Sequence, residues 1–287
     1  MMATVQDYMA LSKPRIVLLL LVTCYCAMVV ANRGLPGAGL TALTLAGLSL
    51  TAGGANAVNM WYDRDIDPVM ERTRTRPVAA RRIRPERALA AGIAAGVAGS
   101  LVLALGVGVL ACEIALAGYL FYVLVYTMWL KRRTPQNIVI GGAAGAFPPL
   151  VGWTAITHGV AVAPVLMFLI IFLWTPPHFW ALALYKQEDY RRAGIPMMPV
   201  VQGARQTKVQ ALSYTILLLG ASLLLYRTGV VGLWYLMVAL VLGLGFIVHG
   251  IAQLQESPPA DRWARGTFRY SLIYMLVLFV AMVANVR

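Results

Sequence analysis

Long apolar stretches separated by short, mostly basic connections make up the pattern of this chain. Nine of them are long enough to cross a hydrocarbon core roughly 30 Å thick, which takes about 20 residues of α-helix. They lie at about residues 15 to 32, 38 to 60, 88 to 108, 110 to 130, 137 to 156, 162 to 184, 208 to 226, 230 to 253 and 267 to 286. Only a tight turn divides the third from the fourth. The first stretch lacks a small-residue cleavage site and is long enough to span, so it reads as a membrane helix and not as a signal peptide. The pattern predicts an all-α membrane protein with nine transmembrane helices, one domain over residues 1 to 287.

Composition agrees with that setting. With 60% hydrophobic and 12% charged residues and a mean hydropathy of +0.73, the chain cannot expose an ordinary soluble surface. The basic residues then choose the orientation. If the N-terminus is cytoplasmic, 21 of the 24 lysines and arginines fall in inner loops, leaving Arg33, Arg227 and Arg287 outside. That asymmetry is a positive-inside signal, and it requires an odd number of spans. It also accounts for the net charge of +13 without nucleic acid, the first partner a soluble protein this basic would suggest. The C-terminus is then periplasmic. No transit segment precedes the first span, so the bacterial inner membrane is expected and not a mitochondrial one. Cys24, Cys26 and Cys112 fall within spans, form no metal-ligand pattern and read as small apolar residues.

Against this apolar background one stretch stands out: NAVNMWYDRDIDPVMERTRTRP, residues 56 to 77. Asn59, Asp63 and Asp67 recur every fourth residue, so a helix would carry them on one stripe, each about 6 Å from the next along the axis. Eight arginines follow between Arg64 and Arg87. An amide and two carboxylates on one face can hold magnesium, which takes oxygen ligands from one or two carboxylates, substrate phosphates and water. Asp65 points away from the stripe and reads as a solvated helix end paired with a nearby arginine. Arg81, Arg82, Arg84 and Arg87 set topology or meet anionic lipid. Arg72 and Arg76 lie close enough to fold back on a diphosphate, and Lys131 ends the fourth span on the same side.

A third cluster, LWTPPHFWALALYKQEDYRRAGIPMMPVV at residues 173 to 201, carries aromatics and a histidine. Pro176 and Pro177 are expected to break or kink the sixth helix and to open space for His178. His178 and Tyr185 lie two helical turns apart on one side, and Asp189 continues their stripe. Trp153, Trp174, Phe179 and Trp180 belong by default to the interfacial belt or the core, although one or more could shield a carbocation. Shifting the sequence by 122 residues places Asp67 on Asp189, Pro77-Val78 on Pro199-Val200, Asp63 on Tyr185 and Asn56 on His178. Two pseudo-repeated four-helix halves are therefore expected at about 14 to 135 and 136 to 257, around a central cavity open to the cytoplasmic side, with the helix at 267 to 286 outside the repeat.

The spaced Asn59, Asp63 and Asp67 motif in a nine-span chain resembles the UbiA superfamily of intramembrane prenyltransferases. The strings NMWYDRDIDPVMERTRTRP, YTMWLKRRTPQNIVIGGAAGAFPPLVGW and TPPHFWALALYKQEDYRRAGIPMMPVV resemble its protohaem IX farnesyltransferase branch. The resemblance covers most of the chain. It implies transfer of a farnesyl group from farnesyl diphosphate to a vinyl group of haem b, with addition of water, giving haem O and diphosphate. It implies magnesium, with manganese as a substitute, held by Asn59, Asp63 and Asp67 with Asp189 in support, while Arg72, Arg76 and Lys131 meet the diphosphate. His178 and Tyr185 are candidates for orienting haem or the incoming water. A downstream haem-modifying enzyme or a terminal oxidase is the partner such a product would have. Many superfamily members carry further aspartates in the second motif, where this chain has His178 and Tyr185, so a second magnesium held by that half is in doubt. The runner-up is a prenyltransferase acting on an aromatic acid or quinone precursor, which a full aspartate pair would have favoured. A cation transporter would need acids spread through the membrane depth, whereas only Glu113 stands isolated in a span.

Overall fold

The computed structural model describes residues 4–257 and 261–287. A short helix, α1 (Val5–Leu11), opens the chain; Thr4 caps it, its hydroxyl accepting from the Asp7 amide while the Asp7 carboxylate accepts from the Thr4 amide. There follow α2 (Pro14–Asn32), α3 (Ala38–Tyr62), α4 (Pro85–Gly106) and α5 (Val109–Leu120), the last running on as a π-helical segment, Phe121–Leu130. Then come α6 (Asn137–Gly141), α7 (Ala143–Ala146), α8 (Pro148–Thr157), α9 (Val162–Tyr185), α10 (Gln187–Arg192), α11 (Met198–Val201), α12 (Gly203–Tyr226), α13 (Leu233–Gln255) and α14 (Arg262–Ala284).

Among the described residues nine helical stretches are long and apolar enough to cross a membrane, and their ends depart from the predicted limits by no more than five residues. Two departures from the predicted pattern shape the interior. The fifth span is not one rod but α6, α7 and α8 in succession. In the sixth, α9 stays helical through Pro176 and Pro177, so of the expected break or kink there is no break. Beside the prolines, Trp174 Nε1 donates to the Ser271 carbonyl of α14 at 2.8 Å, and Thr175 Oγ1 donates to Ile171 O, one turn back in α9, at 2.8 Å.

In lipid there is little hydrophobic drive between helices, so association depends on close packing and interhelical hydrogen bonds. Glycines supply the first between α3 and α4. A Cβ on Gly54 would lie 2.5 Å from Gly92 O, and one on Gly99 2.6 Å from Gly47 O, so the two backbones touch where no side chain fits. Elsewhere Tyr235 Oη donates to Ser222 O at 2.9 Å, and the Ser222 hydroxyl meets Tyr274 Oη at 2.8 Å, joining α12, α13 and α14. Large side chains such as Trp180, Tyr235 and Phe246 fill the interior, while Leu105, Ile216 and Val241 face outwards. Between α2, α3, the π-helical segment, α6 to α9 and α14 lies a cavity of about 410 Å³.

Candidate active site

Two backbone bonds keep the acidic motif in register past the end of its helix. α3 ends at Tyr62 and Asp63–Asp65 form a 3-10 turn, so the predicted unbroken helix stops short of Asp67. Yet the Asp63 amide donates to Asn59 O, and the Asp67 amide donates to Asp63 O at 2.8 Å. Each link spans four residues, the α-helical repeat, and it carries the stripe across the turn. All three side chains are buried, and Asn59 and Asp67 line the cavity.

Each is held by a cation. Asn59 Nδ2 donates to Asp63 Oδ2 at 2.9 Å and to Thr127 Oγ1 at 3.1 Å, which leaves Oδ1 to accept from Lys13 Nζ at 2.7 Å. Lys131 donates to Asp63 Oδ2. Arg76 Nη1 donates to both oxygens of Asp67, and Thr73 Oγ1 donates to the Asp67 carbonyl at 2.9 Å. Arg72 lines the same cavity, exposed. Asp65 instead faces Arg132 at 2.6 and 2.7 Å, the helix-end pairing expected of it. Burial pushes the Lys13 ammonium well below lysine's ordinary range; Arg76 and Lys131 push the same way against Asp63 and Asp67. Burial lowers Lys131 too, with Asp63 opposing.

These atoms fit a hard divalent cation. Asn59, Asp63 and Asp67 offer oxygen donors only, and Asp63 Oδ1, buried and 3.7 Å from Arg132 Nη2, has no hydrogen-bond partner. Among the described residues no three His, Cys, Asp or Glu side chains group closely enough to enclose a metal alone. An ion held by these three side chains would complete its shell from a bound anion and water.

Away from this ionic end the cavity turns apolar, with Leu19, Phe147, Trp174, Phe179 and Met275 on its wall. Tyr122 and Tyr126 stack at 5.4 Å between centroids, and Gly141 makes room for the second, since a Cβ there would run into its ring. His178 is on the wall too, stacked between Trp174 at 4.2 Å and Phe268 at 4.6 Å. Its Nδ1 lies 2.6 Å from Ser271 Oγ, which itself donates to Phe268 O.

Three predicted residues are not on the wall: Asp63, fully buried and bonded to Asn59 and Lys131, and Tyr185 and Asp189. Tyr185 is half-buried, under the guanidinium of Arg265 at 4.5 Å. Asp189 is buried and paired with Arg192, and α10 presents Tyr190 to the cavity in its place. Residues unassigned from the sequence are Lys13, Tyr122, Tyr126 and Asn137, all lining the cavity. Lys13 carried a readable signal, a lysine immediately before the first span; Asn137, buried with its Oδ1 unpartnered, carried none.

A family model described as the UbiA prenyltransferase family matches residues 20–273. The chain belongs to the UbiA prenyltransferase family. This UbiA-family enzyme is 57% identical over 282 residues to a protoheme IX farnesyltransferase of Symbiobacterium thermophilum, covering 98% of this chain and 94% of the relative. A protein of the same description from Granulibacter bethesdensis is 46% identical, covering 99% and 92%. A solved structure of digeranylgeranylglyceryl phosphate synthase shares the UbiA fold at a TM-score of 0.81, with 19% identity over 98% of this chain and 97% of that one. A UbiA homologue from Archaeoglobus fulgidus, bound to DMAPP and Mg2+, superposes at 0.63 with 16% identity, over 97% and 99%. The chain is thus a multi-pass membrane prenyltransferase.

Proposed function

We propose that this enzyme transfers a farnesyl group from farnesyl diphosphate to a vinyl group of haem b, with hydration, giving haem O and diphosphate. The observation that carries the reading is the joining of Asn59, Asp63 and Asp67 to Lys13, Lys131 and Arg76 at one end of an otherwise apolar cavity. The activity for which its relatives are named supplies the farnesyl donor and the haem acceptor.

The division of the cavity matches the charge separation in the reaction. Breaking an allylic carbon–oxygen bond leaves negative charge on diphosphate and positive charge on the isoprenoid. Arg72, Arg76, Lys13 and Lys131 are placed to take the first, through hydrogen bonds to its oxygens. The apolar wall excludes water from the second, and the rings of Trp174, Tyr122 and Tyr126 on that wall would add cation–π attraction. Magnesium, or manganese in its place, held by Asn59, Asp63 and Asp67, would neutralise the diphosphate and make it a better leaving group. The electron-rich vinyl group then attacks C1 of the allylic cation, and the pyrrole-stabilised cation that results takes up water and loses a proton. His178, from its place on the wall, orients the haem or that water. Tyr185 and Asp189, outside the wall, act as supports for α9 and α10. The ionic end faces the cytoplasm of a bacterial inner membrane, since the basic loops gather there.

The deciding experiment incubates purified protein with haem b, farnesyl diphosphate and magnesium and reads the pigment's mass. A gain of farnesyl plus water is expected. Unchanged haem, with prenylation of an added phenolic acid instead, would overturn the acceptor; full activity after thorough chelation would overturn the metal.

A further inference from the structure

Lys13 sits where a lysine is out of place. It stands between α1 and α2 in a left-handed backbone conformation (φ 53°), one that non-glycine residues rarely adopt. A lysine at the end of a span ordinarily extends its ammonium to the aqueous surface. Here the ammonium is turned into the cavity instead, 2.7 Å from Asn59 Oδ1 and 3.3 Å from Tyr122 Oη. The N-terminal hook is pinned to keep it there. Asp7 pairs with Arg82 at 2.6 Å, Asn56 Nδ2 donates to the Ser12 carbonyl at 2.9 Å, and Leu11 is buried against Ala57 and Met60.

The contact sets up a competition. Asn59 Nδ2 is committed to Asp63 and Thr127, so the amide cannot flip, and Oδ1 is the only atom with which Asn59 can ligate a metal. An ammonium and a divalent cation on that oxygen repel one another. Resting on the reading of Asn59, Asp63 and Asp67 as a metal–diphosphate site, we propose that Lys13 is a mobile counter-ion: it opposes a bare metal at Asn59, yields that oxygen when metal and diphosphate arrive together, and then donates to the diphosphate. Its unbranched stem permits the swing, and the incoming anion supplies new acceptors within the same cavity. The consequence is coupling. Metal alone binds poorly and metal with diphosphate binds well, so each raises the affinity for the other by the same factor.

The test measures binding and not turnover. Manganese is titrated into purified protein, by calorimetry or from its electron paramagnetic resonance signal, with and without inorganic diphosphate. In Lys13→Met, affinity for manganese alone should rise at least about fivefold and affinity for diphosphate at saturating manganese should fall at least about fivefold. Lys13→Arg, which keeps the charge, should retain the coupling. Lys13→Gln makes the same measurement should the methionine variant not fold. A metal-alone affinity that is unchanged or weaker in the uncharged variants would overturn the counter-ion role, since a packing role for Lys13 can only loosen the site. Absence of manganese-dependent diphosphate binding in the unaltered protein would instead sink the site reading itself, and the proposal with it.

Discussion

Arg76 lies nine positions after Asp67 and turns back on it, its Nη1 2.8 and 2.9 Å from the two carboxylate oxygens. The pair is lopsided: the Asp67 side chain is 2% exposed and that of Arg76 18%. Cutting Asp67 back therefore leaves a guanidinium that can swing towards water. Asp63 differs, being 0% exposed and bound to both Lys131 and Asn59. Cutting it back leaves three groups, Asn59 Nδ2, Lys131 and Arg132, without their common acceptor, and so costs more than the single partner lost at Asp67.

The two acids should thus separate in their effects on folding. Asp67→Ala is expected to abolish farnesyl transfer, by at least about a hundredfold, with a thermal midpoint close to that of the unaltered protein. Asp63→Ala should lose both activity and stability, while Asp63→Asn, which keeps an oxygen for Lys131, should recover part of the stability and little of the activity. Melting curves in detergent beside diphosphate-release assays check this. A larger loss of stability at Asp67 than at Asp63 would show that the ion pairs have been misjudged.

Alkaline inactivation should follow the lysines. Burial holds Lys131 below the ordinary lysine value of 10.5, and Lys13 lower still by the same cause. Their positive charge, needed for diphosphate, is present below those lowered values and is lost as pH rises through them. The ratio kcat/KM for farnesyl diphosphate, which reports the free enzyme, should therefore fall on an alkaline limb that sets in below pH 10.5. Arginine does not deprotonate in this range, so a Lys13→Arg, Lys131→Arg double variant should push the limb upward. A limb that stays in place would assign it to another group.

The contrast between the two motifs shows what could be read from the residues and what could not. Hydropathy placed all nine spans, because length and apolarity are properties of the chain alone. Spacing placed Asn59 and Asp67 on the cavity because backbone bonds from Asn59 to Asp63 to Asp67 preserve the helical phase. The same argument places His178 on the wall but fails for Tyr185 and Asp189. α9 ends at Tyr185, and Lys186, with φ −116° and ψ 21°, resets the rotation before α10 begins. Among the described residues no backbone bond carries the phase from Tyr185 to Asp189, and Tyr190 faces inward instead. Lys13 was legible only as a topology charge, since its burial depends on α1 folding back over α3, a tertiary contact with no local signature.

Helix contact offers a prediction independent of catalysis. Gly54 packs backbone against backbone: an added Cβ would lie 2.5 Å from Gly92 O and 2.9 Å from Gly96 N, neither of which can yield without moving α4. Gly54→Ala should cost on the order of 1–3 kcal/mol. It should also weaken diphosphate binding, since Asn59 lies little more than one helical turn further along α3. Gly220, exposed in α12, has nothing within 4 Å, and Gly220→Ala should be neutral or slightly stabilising. Equal effects at the two sites, read from thermal midpoints, would remove the close approach of α3 and α4 as a determinant of stability.

The last prediction turns on one proton. Ser271 has a single hydroxyl hydrogen, and its Oγ lies 2.6 Å from Phe268 O, to which it donates. The 2.6 Å contact with His178 Nδ1 then requires the imidazole to be the donor, which leaves the lone pair on Nε2. With Nδ1 held by the hydroxyl, Nε2 is the nitrogen left to accept from or ligate a partner, and stacking between Trp174 and Phe268 holds the ring against rotation. His178→Ala should therefore weaken haem binding, followed by the shift of its main absorption band, by at least about tenfold, while affinity for farnesyl diphosphate changes little. Ser271→Ala removes the acceptor that selects the tautomer but leaves the stacked ring, so its effect on haem should run the same way and be several-fold smaller. If Ser271→Ala matches His178→Ala, the hydroxyl and not the imidazole meets the haem; if His178→Ala leaves haem affinity intact, the histidine is a packing residue of α9 and the acceptor is oriented from elsewhere on the wall.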